Sequence, residues 1–191
     1  MGLRNWFTGL LRAEGGPDGD GSDGDGEAEL QLAVDVDRRA GAIMEHYGLD
    51  GEDARQVAEI LDAELSREEG YARTMIVDRV ARELDMDEDR AKTIVDTEVA
   101  SVRNLARVRK FERQTDGQAR FRWVDSVGRD DSPVCADVRA AIDERGPVAR
   151  SELEAIIREA ASDHDDGTPE RADDLLPHES CRHTVVRHVE S

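Results

Sequence analysis

The chain has 191 residues, with 26 basic and 45 acidic side chains, a net charge of −19, 38% apolar residues and only 4% aromatic ones. That length fits one domain, or a small domain with appendages. The balance excludes a broadly basic nucleic-acid binder, no run approaches the ~18 apolar residues of a membrane span, and two cysteines, Cys135 and Cys181, exclude a disulfide-dense scaffold.

Every cation except Lys92 and Lys110 is an arginine, and carboxylates occur in nearly every segment. An acidic-tail protein would concentrate its charge. Low hydrophobicity and high charge are also the signature of disorder. The ordered apolar periodicities favour instead a folded protein in high salt, where ions screen self-repulsion, as in the cytoplasm of haloarchaea. The opening Met1-Gly2-Leu3-Arg4-Asn5-Trp6 lacks the apolar core of a signal peptide, and Trp6 stands where a myristoylation signal needs Ser or Thr.

Residues 1–13 predict a short amphipathic docking helix, with Leu3, Trp6, Phe7, Leu10 and Leu11 on one face. So short a helix needs a surface to lie on: its own domain, a partner protein or a lipid interface. Residues 14–29 follow as a flexible acidic Gly/Asp linker. From Asp18 the linker superficially resembles a calcium loop, but Asp23 stands where the sharp turn needs Gly, so the reading is a plain linker.

Residues 30–116 read as a helical region. A first helix is expected over about 29–47, ending near Gly48. Asp50 caps a second, with Ala54, Val57, Ala58, Leu61 and Leu65 in one stripe. Ser66-Arg67-Glu68-Glu69 forms a capping box for a third, reaching Leu84. Asp87 caps a fourth, longer helix to about Arg113. Short connections make these antiparallel neighbours. Arg103, Arg107, Arg109, Lys110 and Arg113 form a basic stretch near the end of that helix. It reads first as a complement to the helix macrodipole and only second as a DNA contact.

Residues 117–191 read as a small α+β domain. Arg120-Phe121-Arg122-Trp123-Val124 alternates as a strand does. Asp131-Ser132-Pro133 starts a helix that Gly146-Pro147 ends. Ser151-Glu152-Leu153-Glu154 is a further capping box, residues 162–174 read as loop, and a β-prone run ends the chain. The fold class is therefore mainly α: an N-terminal helical bundle followed by a small α+β C-terminal domain.

Both cysteines and four of the five histidines lie in this last part, three of the histidines in its final stretch. His178, Cys181 and His183 have the spacing H-x-x-C-x-H, and Cys135 stands upstream at a helix start, where the dipole favours thiolate. Together they make a candidate Cys₂His₂ set for a structural zinc that would staple a thin-cored domain. A Cys135–Cys181 disulfide, or two unrelated buried thiols, remain open at this level. Asp125, Asp130, Asp131 and Asp137 beside His178 and His183 form a weaker, hydrolase-like cluster, and a Cys135–His183 nucleophile pair weaker still.

The run Ile94-Val95-Asp96-Thr97-Glu98-Val99-Ala100-Ser101-Val102-Arg103-Asn104-Leu105-Ala106-Arg107 resembles the "RTE…A.N" helix of phage head-morphogenesis proteins. It is followed by Gly117, Trp123, Asp125-Ser126, Asp131-Ser132-Pro133-Val134-Cys135 and Pro177-His178-Glu179-Ser180-Cys181-Arg182-His183. This order is similar to the C-terminal domain of the Mu protein F-like minor head proteins and covers about residues 90–187. Asp96 stands where the family commonly has Arg, Ser132 replaces one Cys of a frequent pair, and His183 replaces the last Cys. The resemblance implies a minor capsid or head-morphogenesis protein of a tailed virus or provirus, without a turnover reaction. Its place would be the virion head or the host cytoplasm, and its partner the portal or major capsid protein, with the Trp6 helix as docking peptide. A cellular zinc-stabilised adaptor is the alternative, and a metal-dependent hydrolase is third.

Overall fold

A computed structural model describes residues 30, 32–68, 70–124 and 132–189. The predicted docking helix, the acidic linker with its calcium-like stretch, and Asp125, Asp130 and Asp131 lie outside the described residues. The molecule is mainly helical. Four helices come first: α1 (Val36–Tyr47), α2 (Gly51–Leu65), α3 (Arg73–Glu83) and α4 (Glu88–Gln114). Strand β1 (Phe121–Val124), α5 (Pro133–Arg145), α6 (Arg150–Ser162), a 3₁₀ helix (Pro169–Asp174) and β2 (Thr184–Arg187) follow. No helix among the described residues is long and apolar enough to cross a membrane.

Local chemistry sets most of these boundaries. Asp50 and Asp87 cap α2 and α4, their carboxylates accepting backbone N–H groups of the first turn. Pro133 opens α5 and Gly146 closes it. Three expected boundaries are displaced. The first helix begins at Val36, not 29, because Asp35 caps it and Leu32, Val34 and Val36 pack with the two-residue period of an extended chain. The Ser66 capping box is unused: Ser66 closes α2 by donating its N–H to the Asp62 carbonyl, and Gly70 at φ +82° turns the chain before α3. The Ser151 box is likewise unused; α6 begins at Arg150, whose guanidinium holds Glu154 at 2.7 Å.

Two apolar cores result. In the first, Ile43 of α1, Val57 and Leu61 of α2, Ile76 and Val80 of α3, and Ile94 and Val99 of α4 pack together. In the second, Val108 of α4 and Phe121 of β1 meet Val138, Leu153, Ile157 and Leu176. Each such side chain contributes about 1.5–3 kcal/mol on burial. Helix α4 belongs to both: residues up to Val102 line the first core, and Leu105 and Val108 line the second. The predicted 30–116 and 117–191 regions therefore share one long helix.

β1 and β2 pair antiparallel, with Trp123 opposite Val185 and Phe121 opposite Arg187. Phe121 also exchanges two backbone hydrogen bonds with Val148. Residues 162–174, expected as loop, contain the 3₁₀ helix, and its Arg171 and Asp174 are buried. Gly167 lets that segment fold back on α6, since a Cβ there would stand 2.1 Å from the Ala161 carbonyl oxygen. Hydrophobic pattern reading misses such an element because Ala172 is its one apolar contribution to the core, and Arg171 and Asp174 are buried beside it as charges.

Candidate metal centre

Two segments far apart in sequence meet beside α4. Cys135 lies in the first turn of α5, where the unpaired N–H groups of the helix end favour a thiolate. His178 and Cys181 come from the turn between the 3₁₀ helix and β2. Ser180 takes a left-handed φ of +57° and donates its N–H to Thr97 Oγ1 at 2.8 Å. Thr97 donates in turn to the Thr93 carbonyl at 2.7 Å. The turn is thus pinned to α4 one residue before Cys181.

Cys135 Sγ lies 3.1 Å from His178 Nε2 and 3.7 Å from Cys181 Sγ. The three ligand atoms all lie within 4.8 Å of one another. A disulfide needs about 2.05 Å between sulfurs, whereas two thiolates on a tetrahedral zinc, each about 2.3 Å from the metal, stand about 3.8 Å apart. The observed spacing fits the second arrangement, and neither cysteine is in a disulfide. His178 Nδ1 is 2.6 Å from the Glu179 carbonyl. A carbonyl only accepts, so Nδ1 carries a hydrogen and Nε2 is the ring nitrogen turned towards the sulfurs, the orientation of a metal-binding imidazole.

Both sulfurs are shielded from water. The Cys181 thiol is nevertheless held well below its ordinary pKa. The hydrogen bond from Cys135 is the largest cause, and His178 and His183 add to it against the opposing effect of burial. A thiolate is the ligating form. The Cys135–His178–Cys181 cluster could therefore hold a metal ion. A thiol beside an imidazole can also serve as a nucleophile, but the second sulfur and the burial suit coordination better.

Of the four predicted ligands, three converge, and His183 stands next to them. Its Nδ1 is 3.7 Å from Cys181 Sγ, while its ring stacks on Trp123 with centroids 5.3 Å apart and planes 10° from parallel. The Cys–His pair at closest approach involves His178, rather than His183. Asp137, from the hydrolase-like cluster, pairs with His164 at 2.7 Å instead of joining the centre.

The sequence reading assigned no partners to a buried polar stripe on α4: Thr97, Glu98, Ser101 and Asn104. Its signal was visible as polar residues at helical spacing, i, i+1, i+4 and i+7, within a helix that faces a core. Asn104 bonds the chain of β2, accepting from Val185 N–H at 3.2 Å and donating to the His183 carbonyl at 3.3 Å. Glu98 is fully buried and anchors an ion cluster. Arg39 Nη1 donates to it at 2.6 Å, Arg171 Nη1 at 2.6 Å, and Tyr47 Oη at 3.2 Å. Asp174 completes the cluster, accepting from Arg171 at 2.9 Å, Arg38 at 2.8 Å and Arg39 at 3.2 Å. Ser101 Oγ accepts from Arg39 Nη2 at 3.1 Å.

Electrostatics follow this geometry. Burial alone would raise the Asp174 pKa, yet Arg39, Arg171 and Arg38 outweigh it and hold the carboxyl below its usual range. Burial would lower the Arg171 pKa, yet Glu98, Tyr47 and Asp174 raise it. Burial, reinforced by the Glu98 charge, pushes the Tyr47 hydroxyl up. Asp96, on the same helix, forms ion pairs with Lys92 and Arg73.

Comparison of the chain with protein families, curated proteins and solved structures finds no match in any of the three.

Proposed function

We propose that this chain is a minor capsid or head-morphogenesis protein of a haloarchaeal tailed virus or provirus, acting by protein–protein binding during head assembly. One observation carries the reading. The residues that bear the resemblance are dispersed over about ninety positions, yet several of those described form one connected set. Thr97 holds Ser180, Asn104 holds His183 and Val185, Trp123 stacks on His183, and Cys135 meets His178 and Cys181. A motif of separated pieces is expected to behave in this way when it encodes one structural unit rather than a chance order of residues.

Within this reading the bound metal is a structural zinc. Cys135, His178 and Cys181 hold it, and His183 is the nearest imidazole for the fourth position. Soft thiolates with an oriented imidazole select zinc, and a site enclosed by protein serves folding rather than turnover. The Leu3, Trp6, Phe7, Leu10 and Leu11 face, on its acidic linker, is the element that reaches the portal or major capsid protein, since a tether raises the local concentration of a docking peptide.

Mass spectrometry of purified virions tests the proposal. The chain is expected among the minor components of the head. Its absence from particles in which portal and major capsid proteins are found would reject the reading and leave the zinc-stabilised adaptor.

A further inference from the structure

Residues 169–183 contact both cores through two different devices. At one end, Arg171 and Asp174 enter the ion cluster with Arg38 and Arg39 of α1 and Glu98 of α4. At the other end, His178 and Cys181 meet Cys135 of α5. Between them, Ser180 is tied to Thr97, the residue immediately before Glu98. We propose that this segment is a metal-controlled latch: a soft divalent cation at the Cys/His centre fixes the segment, and the segment in turn fixes α1 against α4.

The coupling has a physical basis. Arg171 is 1% exposed, Arg39 is 4% exposed and Glu98 is 0% exposed. Buried ions are tolerated only while paired and shielded, and withdrawing Arg171 and Asp174 takes one cation from Glu98 and one carboxylate from Arg39, leaving the Arg39–Glu98 pair with fewer partners and open to water. The cluster therefore has two favourable arrangements, fully assembled or opened to water, with little between. Metal binding favours the assembled one, because the ligands on either side of Ser180 hold the turn on Thr97. The helix that loses contacts on opening is α1, through Arg38 and Arg39. The latch would thereby loosen the hold of α1 on α4 when the metal leaves. It rests on the metal reading given above and adds a regulatory consequence.

Hydrogen-exchange mass spectrometry on the untagged full chain tests it, comparing zinc-loaded protein with chelator-stripped protein. Stripping is expected to raise exchange about tenfold or more in both 169–183 and 36–47, while 51–65 and 73–83 keep their protection. Exchange that rises in 169–183 alone would overturn the latch and leave the metal site standing. A uniform rise across all helices would also overturn it. Failure to retain zinc, below ~0.2 equivalent after purification without chelator, would sink the metal reading and the latch together. The variant Arg171→Met supplies an independent arm. It leaves Arg38 and Arg39 to balance Glu98 and Asp174, so the fold persists. It should retain zinc, yet exchange in 36–47 should no longer respond to it. An unchanged zinc response in that variant would overturn the coupling.

Discussion

Asn104 on α4 treats Val185 of β2 as a neighbouring strand would. Its Oδ1 accepts the Val185 N–H at 3.2 Å, and its Nδ2 donates to the carbonyl of His183 at 3.3 Å. β1 covers one edge of β2, and this carboxamide covers part of the other. A strand edge left open in a core would carry unsatisfied N–H and C=O groups. The same two bonds fix the backbone of His183 beside Cys181.

Asn104→Ala should cost about 1–3 kcal/mol, the range for leaving buried partners unsatisfied. Asn104→Asp should cost more, because a carboxylate cannot donate to the His183 carbonyl and would be charged in a buried site. Urea denaturation of both variants gives the comparison. Equal stability of Asn104→Asp and the parent would show that Nδ2 contributes nothing.

Asn104 also shows what was legible in advance. The residue lies within the helical signature, and Asp87 marks the start of its helix. Its role was not readable, since Val185 is distant in sequence and a polar residue on a helix is ordinarily solvated. Asp50, Asp87, Pro133 and Gly146 were legible because capping is decided within one turn of chain. Ser66 and Ser151 misled for the same reason in reverse: the local box is present, but Gly70 and the Arg150–Glu154 pair set the helix starts.

The metal centre separates ligand from stacking partner at His183. His183→Phe keeps an aromatic ring on Trp123 and removes both ring nitrogens. If His183 supplies the fourth ligand, zinc affinity should fall about tenfold or more with little change in the apo fold. Competition with a chromophoric chelator measures this. Unaltered affinity would assign His183 to packing and leave three protein ligands. Cys135→Ser should lower zinc retention whichever role His183 has.

Within the ion cluster, the two signs of charge should respond differently. Glu98→Gln leaves Arg39 and Arg171 sharing a single carboxylate, Asp174, in the interior, and about 3–5 kcal/mol of destabilisation is expected. Arg171→Met keeps the remaining charges balanced and should cost markedly less. Chemical denaturation of the two variants checks the order, and a larger loss for Arg171→Met would contradict the charge argument.

Asp174 gives the cluster a pH dependence. Its folded-state pKa lies below the unfolded value of about 3.9. The stabilisation is therefore complete above about 3.9 and is lost as the pH falls through the depressed folded value. A circular-dichroism acid titration should show the helix signal of Asp174→Asn varying less over this range than that of the parent. Identical acid profiles would remove Asp174 from the account.

Deleting residues 1–13 should abolish co-purification with the portal or major capsid protein while the remaining chain stays folded. Unchanged association would reject the docking helix.

The sequence by itself determined the helical character, the starts of α2, α4 and α5, the strand at Trp123 and the candidate ligand types. Each depends on periodicity or on chemistry within a few residues. Tertiary structure alone decided that α4 serves two cores, that Arg171 and Asp174 are buried in what reads as a polar loop, and that His178 stands 3.1 Å from Cys135. Those facts depend on pairings between residues as many as 136 positions apart, such as Arg38 with Asp174. No local pattern encodes which of 45 carboxylates a given arginine will meet. The net charge of −19 describes the protein's relation to its solvent, whereas two buried carboxylates, Glu98 and Asp174, help join its halves.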